Sequence, residues 1–316
     1  MMNWHKYGRR KNFLAEISRI VPQGEWIALI QPSYYKGERG NKPYDLDLER
    51  MLRIYLMQNL YDLSDAATVA EVIDSRAFSD FCGVGSSNQV PDGDTLGRFR
   101  NLLIQNNLQE RLFAQVVGLL AQRGLILKKG TIVDSTFIES PSSAKNKEKK
   151  RDPAEHSAKK DNTWHFGYKA HIGVDNESGQ VHTGKMTAAN VQDVTVTSDI
   201  LTGEEAVYGD NGYLGEDKRP EVPSKNQAGK RIRFKFNRRP SASKNCSVRS
   251  KAQIKRREQE KSSVCRAKVE HVFAVVKRQL RFCKTRYREL RKQIAKLNMM
   301  FALANLILTD RPCLAA

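Results

Sequence analysis

The sequence predicts an α/β domain preceded by a smaller, all-helical domain. Between about residues 46 and 127, apolar residues recur at the three- and four-residue intervals of amphipathic helices. After Gly130, short runs rich in β-branched and aromatic residues alternate with turns and helical stretches. That alternation is typical of a sheet with helices packed on it. We therefore predict an all-α domain over residues 1–125 and an α/β domain over residues 126–316.

The helical domain contains two predicted helix starts. Ser64 followed by Asp65 is one N-cap, and Asp94 with Thr95 is another, after a loop rich in Gly, Ser and Asn that begins at Gly83. The helices that follow these caps have two open interpretations: a helix-turn-helix that binds DNA, or a plain helical bundle or dimerisation element. The local net charge is close to zero, so the sequence does not choose between them.

The α/β domain is predicted to begin with a strand over 131–138, followed by a polar loop over 140–162. The next predicted elements are a hairpin of 163–174 and 181–187, a helix over 191–201, and a short buried strand over 206–210. Two helices, from about 263 and over 290–308, complete the chain. Strand, hairpin, helix and strand is an α/β order.

Positive charge is concentrated in the C-terminal part. The chain has 54 Lys+Arg and 35 Asp+Glu, a formal net charge of +19. Residues 1–124 contain 15 basic and 14 acidic residues, so nearly all of the excess lies beyond them. Between Lys218 and Lys261 there are 16 basic and 3 acidic residues, which predicts a basic insertion at about 218–262 that becomes ordered on a polyanion. Such a charge favours nucleic acid over a neutral metabolite as partner.

Cysteine spacing and apolar segments indicate where the protein resides. Five cysteines are scattered without a CxxC pair or a matching histidine spacing, which argues against a zinc site and a disulfide framework. The apolar run 299–308 is shorter than the roughly 20 residues that a membrane span needs. The first residues lack the apolar core of a secretory signal. We therefore expect a cytoplasmic protein with no membrane partner.

Three acidic residues from separate elements are the candidate catalytic residues. Asp134 lies in the first predicted strand, Asp210 ends the last one, and Glu270 lies on the helix that starts near 263. At roughly 100° per residue, Arg266 and Lys277 share a stripe of that helix with Glu270. An acid between two cations can hold a metal and clamp a phosphate, or it can be an exposed ion pair worth roughly a few tenths of a kcal/mol.

The two strand aspartates favour the metal interpretation. An unpaired aspartate in a buried strand costs roughly several kcal/mol, so it needs a cation or hydrogen-bond donors. For each aspartate alone a structural role stays open, such as a turn cap at Asp210. Together with Glu270, in a basic chain, Asp134 and Asp210 predict a metal site. Carboxylate oxygens are hard ligands, which points to Mg²⁺ or Mn²⁺ rather than zinc.

The strand that begins at Thr163 mixes aromatic and basic residues. One interpretation is a strand that faces DNA, in which Lys169 contacts a phosphate. The other is a half-buried hairpin, which we favour for Trp164 and Tyr168. Its histidines, like His271, have no zinc-like spacing, so solvated or hydrogen-bonded histidines are expected.

The whole chain resembles a DDE transposase of the insertion-sequence-five family, which is related to the insertion-sequence-four group. The matching stretches, in the expected order, are LRIYLMQNLYDLSD (52–65), DTLGRFRNL (94–102), WHFGYKAHIGVD (164–175), YGDNGY (208–213) and RAKVEHVFAVVK (266–277). The C-terminal signature of that family, Tyr, Arg, Glu and Lys, is matched at Arg266, Glu270 and Lys277, while Ser263 occupies its tyrosine position.

This resemblance implies an RNase H-like catalytic core, a mixed sheet flanked by helices, behind the all-α domain. It implies that Asp134, Asp210 and Glu270 are catalytic and hold two Mg²⁺ or Mn²⁺ ions, with Asp134 bridging them. It also implies that Arg266 and Lys277 bind DNA phosphate.

The implied activity is that of a bacterial insertion-sequence transposase. Such a protein binds terminal inverted repeats and catalyses metal-dependent cleavage and strand transfer of double-stranded DNA, as a homodimer at synapsis. The alternatives are an RNase H-like nuclease without strand transfer and a transposase-derived DNA-binding protein without catalysis. DNA binding without cleavage would indicate the DNA-binding protein without catalysis.

Overall fold

A computed structural model of the chain describes residues 9–34, 47–127, 129–141, 152–160, 162–215, 219–226, 228–236 and 267–313. The chain divides into two compact units. The first unit combines Met1–Val116, Val276–Phe282 and Asn298–Ala316, and the second combines Val117–Val275 and Cys283–Leu297. The predicted division at residue 125, and the role given to each domain, stay predictions.

The first unit is helical. Its helices are α1 (Arg9–Ile20), α2 (Gln23–Tyr34), α3 (Leu48–Tyr61), α4 (Asp65–Asp74), α5 (Arg76–Cys82), α6 (Gly93–Gln105) and the first part of α7 (Leu108–Gln122). The sequence patterns did not predict α1 and α2. Phe99 is fully buried, and its ring meets the edges of Tyr34 and Tyr55 with ring centroids 5.9 Å apart in both pairs. Aromatic pairs of this geometry stabilise a core beyond the area that they bury.

Helix caps in this unit follow the sequence closely. Ser64 caps α4 as predicted, because its side chain accepts the N–H of Ala67 at 3.1 Å. The predicted cap of α6 is wrong by two residues: Asp92, and not Asp94, accepts the N–H of Thr95 at 2.7 Å. Since α5 lies between α4 and α6, these two helices are not joined by the short turn of a helix-turn-helix. Whether they contact DNA or dimerise stays a prediction.

An ion pair fastens α4 to α6. Arg100 donates from Nη1 and Nη2 to the two carboxylate oxygens of Asp65, at 2.5 and 2.8 Å, and Gln58 donates to Asp65 Oδ1 at 2.7 Å. Burial alone would raise the pKa of Asp65, but these hydrogen bonds and the charge of Arg100 outweigh it and lower the pKa. Asp65 and Arg100 each lie in a stretch that carries the family resemblance. In these two stretches, the matching residues therefore have a structural role: they join α4 to α6.

The second unit is built on a mixed six-stranded sheet. Its strands are β1 (Gly130–Glu139), β2 (His156–Lys160), β3 (Thr163–Asp175), β4 (Val181–Ala188), β5 (Ala206–Gly209) and β6 (Arg233–Phe236). The order is β2-β3-β1-β5-β6, and β4 also pairs with β3. β1 is antiparallel to β3 and parallel to β5, and β6 is parallel to β5. The predicted first strand, hairpin and short buried strand are confirmed.

Three segments differ from expectation. β2 lies in the stretch that was predicted to be a loop, and β6 lies in the predicted basic insertion, of which residues 218, 227 and 237–262 lie outside the described residues. The predicted helix over 191–201 is wrong. A 3₁₀ turn (Asp193–Thr195) and the four-residue α8 (Thr197–Ile200) replace it, since the β-branched run from 194 to 197 disfavours a longer helix.

One face of the sheet is covered by α8. Ile200 packs with Val133 of β1 and Val207 of β5 in a buried cluster. Because side chains alternate across a strand, Asp134, next to Val133, projects from the opposite face.

The C-terminal helices are α9 (267–274), which continues as a π-helix (Val275–Gln279), and α10 (Leu290–Cys313). Lys268 on α9 holds the β3–β4 turn, because its ammonium donates to the carbonyl of Glu177 at 3.0 Å and to that of Asn176. Among the helices described, none is long and apolar enough to cross a bilayer.

Candidate active site

Asp134 lies in β1, and Asp210 directly follows the adjacent parallel strand β5. Ile132 of β1 is in register with Tyr208 of β5, and each aspartate lies two residues further along its own chain segment. Residues two apart on a strand share a face, so both carboxylates project from the same face at the same level. Neighbouring strands are about 4.8 Å apart. The structure therefore brings these two predicted site residues together.

The two carboxylates have different surroundings. Asp134 is half-buried, and its Oδ1 accepts the N–H of Ser135 at 2.7 Å. Burial raises the pKa of Asp134 to about 6, and the charge of Asp210 adds to this, while the Ser135 hydrogen bond and the charge of Lys160 oppose it. Asp210 is exposed, and its Oδ1 accepts the N–H of Gly212 at 2.8 Å. Asp210 therefore also caps a turn, the structural role that its sequence left open.

This pair of carboxylates fits a divalent cation. The raised pKa of Asp134 means that its negative charge is poorly compensated by its described surroundings. A cation between Asp134 and Asp210 would replace their mutual repulsion by attraction to both. Carboxylate oxygens are the ligands that Mg²⁺ and Mn²⁺ prefer. The chemistry of the donors therefore suits the ions that the sequence predicted.

The third candidate, Glu270, is exposed on α9. Val269 and Val272 of the same helix are buried, so the helix has an apolar side and a solvent side, and Glu270 lies on the latter. Across the described ranges, no three His, Cys, Asp or Glu side chains are grouped so as to hold a metal ion. The structure thus joins Asp134 with Asp210 and does not add Glu270 to them as a third ligand.

The predicted phosphate ligands have three different outcomes. Arg266 lies outside the described residues. Lys277 is half-buried in the π-helix, whose wider turn replaces the regular helical spacing on which the predicted stripe depended. Lys169 is only 8% exposed, and its ammonium donates to the carbonyl of Val191 at 2.8 Å and pairs with Asp193 at 2.9 Å. Because its donors are used inside the protein, this geometry argues against a phosphate contact by Lys169.

Two charged residues that the sequence did not single out affect the pKa of Asp134. Asp193 raises and Lys160 lowers the pKa of Asp134 through their charges. Asp193 begins the 3₁₀ turn after β4. An aspartate at the start of a helical turn is common, so its sequence position gave no sign of a functional role. His171 beside it is buried, which lowers its pKa to about 4, and its Nε2 lies 2.8 Å from Thr187 Oγ1. His171 is therefore a neutral, hydrogen-bonded histidine, as expected.

The expectation of a half-buried hairpin fits Tyr168, which lies on the buried side, and is wrong for Trp164. Tyr168 is fully buried, and its hydroxyl donates to Asp152 at 3.1 Å. Trp164 is 69% exposed. The reason lies in strand pairing: β1 pairs with β3 only from Gly167 onward, so the first residues of β3 extend past the central sheet and pair with β2 alone.

Comparisons with known proteins match most of the chain. Residues 126–306 match a family model described as the transposase DDE domain, and residues 2–102 match one described as a transposase domain (DUF772). A solved structure to which the chain is similar is the piggyBac transposase, in a synaptic complex with hairpin DNA. It is 12% identical with a TM-score of 0.46, and the alignment covers 92% of this chain and 71% of that chain. Together with the mixed sheet flanked by helices, the match over 126–306 confirms the predicted RNase H-like fold class.

Proposed function

Since the chain belongs to the family of the transposase DDE domain, we propose that it is the transposase of a bacterial insertion sequence of the insertion-sequence-five family. It binds the terminal inverted repeats of its element, cleaves DNA strands at them and joins the released strands to target DNA. The observation that carries this proposal is the placement of Asp134 in β1 and of Asp210 at the end of the adjacent parallel strand β5, within the matched domain.

Divalent cations belong to this proposal. Transposase DDE domains generally use them, and the carboxylates of Asp134 and Asp210 suit Mg²⁺ or Mn²⁺. We assign these two residues as ligands, with Glu270 as the third. Two such ions, when bound, would supply Lewis acidity that activates an attacking hydroxyl and offsets the negative charge on the reacting phosphate.

The role of the protein is to hold its carboxylates in fixed directions. The N–H of Ser135 donates to one carboxylate oxygen of Asp134, and the N–H of Gly212 donates to one carboxylate oxygen of Asp210. Each carboxylate therefore keeps its second oxygen for a ligand without a change of rotamer. Preorganised groups of this kind lose little free energy to reorganisation during the reaction.

The reaction proceeds at phosphorus in two similar steps. In cleavage, the oxygen of a water molecule forms a bond to phosphorus as the bond to the 3′-oxygen breaks, which releases a 3′-hydroxyl end. In strand transfer, that 3′-hydroxyl attacks a phosphodiester of the target, and another 3′-oxygen leaves. Arg266 and Lys277 are assigned to the phosphates next to the reacting one.

The partners follow from the reaction. Double-stranded DNA is the substrate, both as inverted repeat and as target, and the chain's net charge of +19 suits it. Two element ends must meet, so we propose a homodimer in the synaptic complex. The protein acts in the bacterial cytoplasm, where it associates with the nucleoid when it is bound to DNA.

The test compares wild type with Asp134→Asn and Glu270→Gln. Purified proteins are incubated with Mg²⁺ and labelled DNA that carries the inverted repeats flanking the gene. Wild type should cut at the repeat ends and join the products to a plasmid, while both variants should bind the same DNA and cut none of it. The exposed Asp74→Asn is the matched control and should cut as wild type does.

Two other outcomes identify the alternatives. Equal cleavage of DNA with and without the repeats, and no joined products, indicates an RNase H-like nuclease. Binding of the repeats without cleavage, in Mg²⁺ and in Mn²⁺, indicates a DNA-binding protein that has lost catalysis. Normal cleavage by either active-site variant contradicts the assignment of the acids.

A further inference from the structure

The strand β6 presents a lysine on the face of the sheet that carries Asp134 and Asp210. Lys235 is in register with Tyr208 of β5, and Tyr208 is in register with Ile132 of β1. Each aspartate lies two residues beyond its residue of this row, and the backbone of Asp210 is still extended. Because side chains alternate across a strand, Lys235 shares a face with both carboxylates.

Contacts on the two faces of the sheet agree with this direction. The two neighbours of the lysine in β6, Phe234 and Phe236, pack against the buried cluster beneath α8. On the opposite face, the ammonium of Lys235 lies 4.9 Å from the centroid of the Tyr208 ring and donates to the Tyr208 hydroxyl at 3.2 Å. Lys235 therefore projects away from the α8 cluster.

The charge of Lys235 is held by neutral groups. Its contacts are the ring and hydroxyl of Tyr208, and no carboxylate of the described residues lies within ion-pair distance of its ammonium. By contrast, Arg233, two residues earlier in β6, lies 4.0 Å from Glu205. An ammonium has three N–H donors, of which the Tyr208 hydroxyl takes one. These contacts leave two donors and the positive charge for an anion.

The position of Lys235 suits a phosphate close to the reacting one. Lys235 is half-buried, and its contact with Tyr208 holds its ammonium in place before a ligand binds. Between Lys235 and Asp210 lie one strand spacing, about 4.8 Å, and two residues of strand, about 7 Å. The reacting phosphate belongs at the carboxylates. An ammonium at this separation would meet a neighbouring phosphate of the DNA backbone.

We propose that Lys235 binds a DNA phosphate beside the reacting phosphodiester. This inference rests on the proposed function, since it specifies how the same site holds its DNA. A lysine ammonium is a point charge, so the contact fixes the position of the DNA backbone and reads no base.

Salt titrations in EDTA test the inference apart from catalysis. Wild type, Lys235→Gln, Lys235→Arg and Lys185→Gln are titrated with a labelled repeat-end duplex at several salt concentrations. Glutamine keeps a donor for the Tyr208 hydroxyl and removes only the charge. Lys185 of β4 is the matched control, because it is a strand lysine of the same unit whose ammonium pairs with Asp199.

The expected result is the loss of one phosphate contact. Each contact contributes about −0.9 to the slope of log affinity against log salt. Lys235→Gln should therefore make the slope less negative by about 0.9. The ratio of wild-type to variant affinity should then fall by about 3.5-fold between 50 and 200 mM salt. Lys235→Arg and Lys185→Gln should keep the wild-type slope.

A second measurement identifies the phosphate. Repeat-end duplexes carry a neutral methylphosphonate at one position at a time, over the three phosphates on either side of the cleavage point. At one position the substitution should weaken binding by wild type and by Lys185→Gln, and leave binding by Lys235→Gln unchanged. A folding defect in Lys235→Gln would weaken binding at every position alike, so it would not produce this pattern.

Three results overturn the inference. If Lys235→Gln keeps the wild-type slope, or if no position shows the coupling, Lys235 does not bind a phosphate there. The proposed function then stands as long as wild type cuts repeat ends. If Lys185→Gln changes the slope as much as Lys235→Gln does, the effect is one of net charge alone. If wild type binds no repeat-end duplex, the proposed function fails together with the inference.

Discussion

Replacing Asp134 by asparagine should make the metal-free protein more stable at neutral pH while it abolishes strand cleavage. The pKa of Asp134 is raised from 3.8 to about 6, chiefly by burial. A shift of about 2 units corresponds to roughly 3 kcal/mol of unfavourable free energy for the ionised folded state. Since Asp134 is only half-buried, solvent screening reduces the expected gain to about 1–2 kcal/mol. The amide oxygen of asparagine can still accept the N–H of Ser135.

The gain should depend on pH with a defined sign. The folded pKa of Asp134 lies above the unfolded value, so the folded state binds this proton more tightly. The resulting stabilisation is complete below the unfolded pKa of 3.8 and is lost as the pH rises through about 6. Asparagine at position 134 does not titrate, so the variant lacks this pH-dependent contribution to stability. Its free energy of unfolding should therefore match that of wild type near pH 4 and exceed it by the full amount above pH 7.

Urea denaturation in EDTA, at several pH values between 4 and 8, measures this difference. Asp74→Asn, at an exposed position, serves as the control and should stay within about 0.5 kcal/mol of wild type throughout. Adding Mg²⁺ in excess should stabilise wild type, by about 2.7 kcal/mol at one hundred times its dissociation constant, and should stabilise the variant less. An Asp134→Asn protein that is no more stable than wild type at pH 7.5, or whose advantage does not grow with pH, would refute this reasoning.

Three further predictions concern contacts described above. Gly167→Ala should destabilise the protein by about 2 kcal/mol or more in urea denaturation, through backbone strain. Gly118→Ala, a helical position with no atom near the added Cβ, should not destabilise it. Arg100→Ala should cost about 2–4 kcal/mol at pH 7, because it leaves the carboxylate of Asp65 without its bidentate partner. That cost should diminish as the pH falls through the lowered pKa of Asp65, and an equal cost at pH 3 and pH 7 would contradict it. Cys82 should resist thiol-labelling reagents until the protein unfolds, since burial raises its pKa to about 12; labelling at the rate of a free thiol in native buffer would show otherwise.

The positions of most strands and helices were readable from the sequence, because they depend on local patterns. A β-branched run predicted β1, turn residues between two such runs predicted the β3–β4 hairpin, and Ser64 predicted the start of α4. The predicted helix over 191–201 was wrong for a reason that is also local, because its β-branched residues were given too little weight. β2 and β6 were missed because a short strand with polar residues is defined by the partner with which it pairs: β2 pairs with the neighbouring β3, and β6 pairs with β5, which is distant in sequence.

The site itself divides in the same way. Sequence by itself predicted candidate residues for the chemistry, since acids in strand-like runs and a strongly basic C-terminal part are visible without any fold. Only the tertiary structure decided that Asp134 stands level with Asp210, that Lys169 is used internally, and that Trp164 faces solvent. The physical reason is that side-chain type is a property of one residue, whereas register, burial and charge environment depend on which strands pair. Those pairings join residues dozens of positions apart, and no local pattern contains them.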